Sequence, residues 1–142
     1  IARARRAERL AAVFFIDLDG FKQVNDRLGH DQGDALLVAL ACSLQAGLRQ
    51  ADTVSRLGGD EFAVLSENLD TPQAAAAIAA KLLGVLAQPY ELESGTVQVT
   101  GSIGVSFYPR DGADAEDLLQ KADAAMYRAK QSGKNRVAFF SL

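Results

Sequence analysis

The 142-residue chain has one cysteine, no apolar run long enough to cross a bilayer, no secretory signal and no excess of basic charge. Cys42 lies among aliphatics in ALLVALACSL. It has no partner for an internal disulfide and reads as a small buried hydrophobe in a reducing compartment. With no spanning segment, the chain reads as a cytoplasmic domain without membrane contact of its own, whatever anchors a longer parent. A formal net charge of −3 speaks against nucleic acid as a partner, because a duplex-binding face needs lysines and arginines to replace counterions. A nucleotide is not excluded, since a few local lysines or a metal ion suffice for its phosphates. No internal repeat and no low-complexity linker divides the chain, so residues 1–142 read as one domain.

Hydrophobic residues make up 49% of the chain and charged residues 23%, enough apolar surface for a real core. The opening IARARRAERL reads as the end of a helix that began in a longer protein. A continuous apolar run with aromatics, AAVFFID, predicts a buried strand over 11–17. A short helix is expected over 21–28 with Gly29 as its stop, and a longer one from about 31–34 to 48, with Leu36, Leu37, Leu40, Leu44 and Leu48 at helical spacing. Strands over 53–57 and 62–65 flank a glycine-acid turn and form a hairpin. Thr71-Pro72 opens a helix to about 87. A minor strand over 90–92 and a long strand over 97–107 follow, the latter with small residues where neighbours must approach closely. A helix from 114 or 115 to 131 and a strand over 137–140 complete the chain. This order implies an α/β (α+β) fold, a mixed sheet with helices packed on it.

Two stretches carry chemistry. In FFIDLDGFKQVND, Asp17 ends the buried strand and Asp19 begins the following loop. By itself this pattern serves equally as a solvated strand end and a turn or cap. In RLGGDEFAVL, two glycines precede two acids that lead directly into a core strand. If this hairpin pairs with the 11–17 strand, Asp60 and Glu61 approach Asp17. Three such acids repel one another, and a hard divalent cation would turn the repulsion into binding. Gly58 and Gly59 would let a large ligand approach the backbone.

Gly58-Gly59-Asp60-Glu61-Phe62 resembles the name-giving motif of the GGDEF family, the diguanylate cyclases. IDLDGFKQVNDRLGHDQGD is similar to the family's first strand and nucleotide-binding helix region, and SIGVS and ADAAMYRAKQSGKN to its late strand and last helix. The likeness runs through nearly the whole chain in order. The family's usual leading segment, D-x-L-T-G-L-x-N-R, would lie just ahead of Ile1 and is not among the 142 residues. The resemblance implies a palm-like nucleotidyl cyclase fold with a mostly antiparallel central sheet. It implies condensation of two GTP into cyclic di-GMP and pyrophosphate by a homodimer, one GTP per subunit, with Mg2+ or Mn2+.

Residue by residue, the likeness makes Asp17, Glu61 and the Leu18 carbonyl metal ligands. Asp60 becomes a further acid near the metal that helps bind it or deprotonate the attacking hydroxyl, with Gly58 and Gly59 beneath the phosphates. Asn25 and Asp34 would read guanine, whose N1–H and exocyclic amine suit a carboxylate. Asp34 also suits the first turn of a helix, and Asn25 taken alone reads as a surface residue. Lys22, Lys130, Lys134 and the backbone of Asp19, Gly20 and Phe21 would meet phosphate, although the two late lysines equally complement a helix C-terminus. His30, in the connection between the two helices, is expected to order the loop and is assigned no catalytic role. Arg49 and Asp52 match the RxxD pattern of the family's inhibitory product site, where cyclic di-GMP binds. The form VQVTGSIGVSFYPRDG is similar to domains that sit ahead of an EAL phosphodiesterase, so an attached EAL or sensor domain is expected. The alternative expectation is a catalytically weak module that binds GTP or cyclic di-GMP and regulates that neighbour.

Overall fold

The computed structural model describes residues 10–141. The helix expected over 1–10 lies outside these residues, apart from Leu10, which already belongs to the first strand. Strand β1 (Leu10–Asp19) leads into helices α1 (Phe21–Leu28) and α2 (His30–Ala46). The hairpin β2 (Thr53–Gly58) and β3 (Glu61–Leu69) is followed by α3 (Pro72–Ala87). A small ribbon of β4 (Tyr90–Leu92) and β5 (Gly95–Val97) precedes β6 (Thr100–Tyr108), α4 (Ala115–Gln131) and β7 (Arg136–Phe139). The main sheet has the order β2-β3-β1-β6-β7, with β1 central. Its pairings are antiparallel except β6 with β7. This is the mixed sheet with packed helices that the element order implied, and the mostly antiparallel one that the family resemblance implied.

Alternation along β1 divides the molecule into two layers. Phe14, Ile16 and Leu18 point into the larger core with Leu36, Leu40 and Leu44 of α2 and Ala79, Leu82 and Leu86 of α3. Val13 and Phe15 face the other way, onto Leu118, Ala122 and Met126 of α4. Asp17 and Asp19 continue this second face and emerge beside the C-terminal end of α4. On β6, Gly104 lies opposite Phe15. A Cβ there would collide with the Ala122 carbonyl and the Met126 amide, so the helix backbone rests directly on the strand. The helix ends are fixed locally. Thr71 accepts a hydrogen bond from the Ala74 amide, with proline at the start of α3, and Asp114 accepts from the Asp117 amide of α4.

Four expectations need correction. Cys42 is exposed, because the buried face of α2 is the stripe Leu36, Leu37, Leu40 and Leu44, and Cys42 shares the outer face with Val38. Helix α2 ends at Ala46, where the Gly47 amide takes up the last carbonyls, so Leu48 lies beyond it. The strand expected over 97–107 is broken. Val97 pairs with Tyr90 in the ribbon, and the chain joins the main sheet only at Thr100. Between them the Gln98 side chain donates to the Ala87 carbonyl at 2.7 Å. Finally, Asp19 is a buried strand residue paired with Thr100, not the start of a loop.

Candidate active site

The hairpin tip docks beside the end of β1. Asp17 and Glu61 are direct cross-strand partners, and the Leu18 amide donates to the Asp60 carbonyl at 3.3 Å. At the tip Gly58 has φ +152° and Gly59 φ +50°, values that disfavour side chains. Nothing lies within 4 Å of where a Cβ would project from either glycine, so the backbone is open to an approaching ligand. Arg56 holds the tip from below, its Nε donating to the Gly59 carbonyl at 3.0 Å.

The acids here are electrostatically unsatisfied. Burial first, and then the adjacent Asp60, push the Asp17 carboxyl up to about 6, with Lys130 pulling the other way and Glu61 adding to the rise. Glu61 is also raised, by burial and then by Asp123 of α4 and Asp60. Asp19, two residues from Asp17, behaves oppositely. Burial alone would raise it, but hydrogen bonds from Thr100, Lys130, Ser102 and the Asn135 amide outweigh that and hold it below the ordinary value. Lys130 reaches over from the end of α4. Its Nζ lies 3.2 Å from the Leu18 carbonyl oxygen, 3.0 Å from Asp19 Oδ1 and 3.6 Å from Asp17 Oδ2.

Among the described residues no three acidic, histidine or cysteine side chains are gathered closely enough to hold a metal by themselves. The donor chemistry nevertheless fits one. Asp17, Glu61 and the Leu18 carbonyl are hard oxygens at one strand end, their charges raised in energy by mutual repulsion, and a cation is already drawn among them. Mg2+ or Mn2+ suits such a set.

The base-reading candidates lie at the α1–α2 crossing. A Cβ on Gly33 would collide with Asn25 Oδ1, which is buried without a partner. Asp34 is exposed next to Gly33. Gly20, with φ +83°, turns the chain from β1 into α1, and no side chain caps the amides of the first turn. Phe21 anchors that turn in the core, and Lys22 is exposed on it. Lys134 is exposed with φ +62°, next to Asn135, whose amide ties this loop to Asp19. His30 is exposed at the start of α2.

The RxxD pair sits at the far end of the hairpin. Asp52 is buried, and its carboxylate accepts from Arg49 Nη2 at 2.9 Å, from the Arg49 amide at 3.0 Å and from Ser66 Oγ at 2.7 Å. Burial would raise Asp52, but these bonds hold it below the usual carboxylate range. Arg49 also donates to the Glu67 carbonyl, yet 47% of its side chain remains exposed.

Sequence reasoning missed Arg56, Asp123, Thr100, Ser102 and Ser66. The serine and threonine were signalled by polar residues at alternate positions in TGSIGVSF, an otherwise apolar strand. Asp123 and Ser66 gave no local signal.

A family model described as "Diguanylate cyclase, GGDEF domain" matches residues 1–136. The chain belongs to the GGDEF family. This GGDEF domain is 47% identical over 140 residues to the bifunctional diguanylate cyclase/cyclic di-GMP phosphodiesterase MucR of Pseudomonas aeruginosa, covering 99% of the chain and 20% of MucR. It is 45% identical over 130 residues to the diguanylate cyclase TpbB of the same species, covering 89% of the chain and 30% of TpbB. The domain thus spans a minor part of these relatives. Among solved structures, the GGDEF domain of TpbB superimposes with a TM-score of 0.95 at 40% identity, covering 99% of this chain and 88% of that one. The active GGEEF domain of a diguanylate cyclase from Vibrio cholerae gives 0.87 at 31% identity, covering 99% and 89%. No helix among the described residues is long and apolar enough to cross a membrane.

Proposed function

We propose that this domain is one half-site of a diguanylate cyclase, which condenses two GTP into cyclic di-GMP and releases two pyrophosphates. The observation that carries the reading is the register of Asp17 against Glu61, with Asp60 adjacent, beneath an open glycine tip.

Each GTP would lie with its base at the α1–α2 crossing. There Asp34 accepts from guanine N1–H and the exocyclic amine, and the Asn25 amide donates to a ring or carbonyl acceptor. Adenine carries an acceptor at N1 and would leave Asp34 unpaired, a penalty of roughly 1–3 kcal/mol. The first-turn amides of α1, with Lys22, Lys130 and Lys134, would hold the phosphates. Asp17, Glu61 and the Leu18 carbonyl would hold Mg2+ or Mn2+, which when bound neutralises charge on the reacting phosphate. Asp60 stands beside these ligands, placed to take a proton from the attacking hydroxyl. The 3′-hydroxyl of one GTP attacks the α-phosphorus of the other. That oxygen–phosphorus bond forms as the bond to pyrophosphate breaks, and the reciprocal attack closes the ring. Both attacks need two domains facing each other across a two-fold axis.

The test is to incubate the full-length protein with GTP and Mg2+ and separate the nucleotides. Cyclic di-GMP should form, and Glu61→Ala and Asp60→Ala should each lower its rate by at least about a hundredfold. An unchanged rate in both variants overturns the mechanism. Tight binding of GTP or cyclic di-GMP by the native protein, without product, selects the regulatory module ahead of an EAL or similar domain.

The RxxD pair would form the inhibitory product site, with the outer face of Arg49 meeting guanine and Asp52 orienting the guanidinium. Arg49→Ala should weaken cyclic di-GMP binding by about tenfold or more in calorimetry. Unaltered affinity would remove this assignment.

A further inference from the structure

Lys130 stands where the proposed half-site needs its metal. Its ammonium meets three oxygens of the acid cleft, and one of them is the Leu18 carbonyl. The Lys130 side chain is 23% exposed and that of Asp17 20%, so the contact is shielded from water. A dication bound by Asp17 and the Leu18 carbonyl would stand within a few ångströms of this ammonium and repel it. Lysine and metal therefore cannot both use these oxygens. Asp19 keeps its bonds from Thr100, Ser102 and the Asn135 amide when the lysine leaves, so withdrawal strands no buried charge. The lysine stem is flexible, and α4 itself is held by the Gly104 contact, so only the side chain needs to turn.

We propose that Lys130 is a tethered placeholder cation: it fills the metal's position in the nucleotide-free domain and vacates it only when a triphosphate offers its ammonium another anion. The inference rests on the metal-site reading above and adds an order to it. Metal alone must compete with a covalently attached charge. Metal arriving with nucleotide does not, because a phosphate oxygen takes over the lysine. Metal and nucleotide loading are thereby coupled through one side chain.

The experiment measures Mn2+ binding to the full-length protein by paramagnetic resonance of the free ion, with no nucleotide present. Lys130→Met should bind Mn2+ alone about tenfold more tightly than native, while its affinity for a non-reactive GTP analogue falls. These opposite signs separate a placeholder from a simple phosphate ligand, which would change only the second quantity. Unchanged or weaker Mn2+ binding in both Lys130→Met and Lys130→Gln overturns the proposal. Asp17→Asn serves as the discriminating control. If Mn2+ binds equally well without the Asp17 charge, the metal-site reading has failed rather than the role of the lysine. In the native protein, the Lys130 ammonium resonance should stay in place with Mg2+ alone and move when the GTP analogue is added with it. Movement with Mg2+ alone overturns the coupling without any variant.

Discussion

Asp52 at the base of the β2–β3 hairpin and Asp17, on the strand beside its tip, are both largely shielded from water, and the fold treats them in opposite ways. At the base, Asp52 is filled by Arg49 and Ser66 and its carboxyl is held below the ordinary value. At the tip, burial and then the neighbouring Asp60, with Glu61 adding to it, push Asp17 up to about 6. Satisfied charge at the base contributes to stability, while unsatisfied charge at the tip costs stability and stores affinity for a cation. The same residue type is thus satisfied by the fold at one end of the hairpin and left unsatisfied beside the other.

The sharpest way to break this contrast is at the base. Asp52→Ala should destabilise the domain by about 3 kcal/mol, because Ser66 and the Arg49 amide lose their acceptor. Chemical denaturation at pH 7 reads this directly, and a loss below 1 kcal/mol would mean the network is not structural. The effect has a pH signature. The Asp52 carboxyl is held low in the fold, so its stabilisation is present above its ordinary value of 3.8 and disappears as pH falls below it.

The tip should give the reverse sign. Asp17→Asn should stabilise the domain by about 1–2 kcal/mol at pH 7.5 in metal-free buffer, and should abolish product formation when the full-length protein is given GTP and Mg2+. The native carboxyl titrates near 6 in the fold against 3.8 when exposed, so native stability falls as pH rises through that window. The advantage of the variant should therefore vanish below pH 4 and level off above 6. An advantage independent of pH would show that charge repulsion is not its cause.

The smallest expected effect isolates the backbone from the charges. Gly59 has φ +50° and no neighbour that a methyl would strike. Gly59→Ala should cost about 1 kcal/mol from conformation alone. It should reduce nucleotide binding more than stability, because the methyl intrudes only where phosphates would pass.

Features with local causes were legible in the sequence. The apolar run of β1, the glycine-acid turn, the Thr71-Pro72 helix start and the small residues of SIGVS each encode their structure within a few positions. Asp17, Asp60 and Glu61 were brought together from the sequence because two are contiguous and the third ends a strand, whereas Asp123 of α4 was not. Cys42 reads as buried from its aliphatic neighbours, although the helical spacing of Leu36, Leu37, Leu40 and Leu44 already puts it on the other face of the helix. What the sequence hid depends on packing across the chain. Asp19 looks like a turn residue until Thr100 and Ser102, 81 and 83 positions away, are seen to close around it. Lys130 looks like a helix-end lysine until its reach to Leu18, 112 positions earlier, is measured.

The missing side chain at position 104 works as a spacer of fixed thickness. It sets how far the axis of α4 stands off the sheet, and a helix is stiff enough to carry that clearance to its last turn. The stand-off of the helix that carries a single ammonium toward the cleft of acids is thus gauged by a hydrogen atom in the middle of a strand.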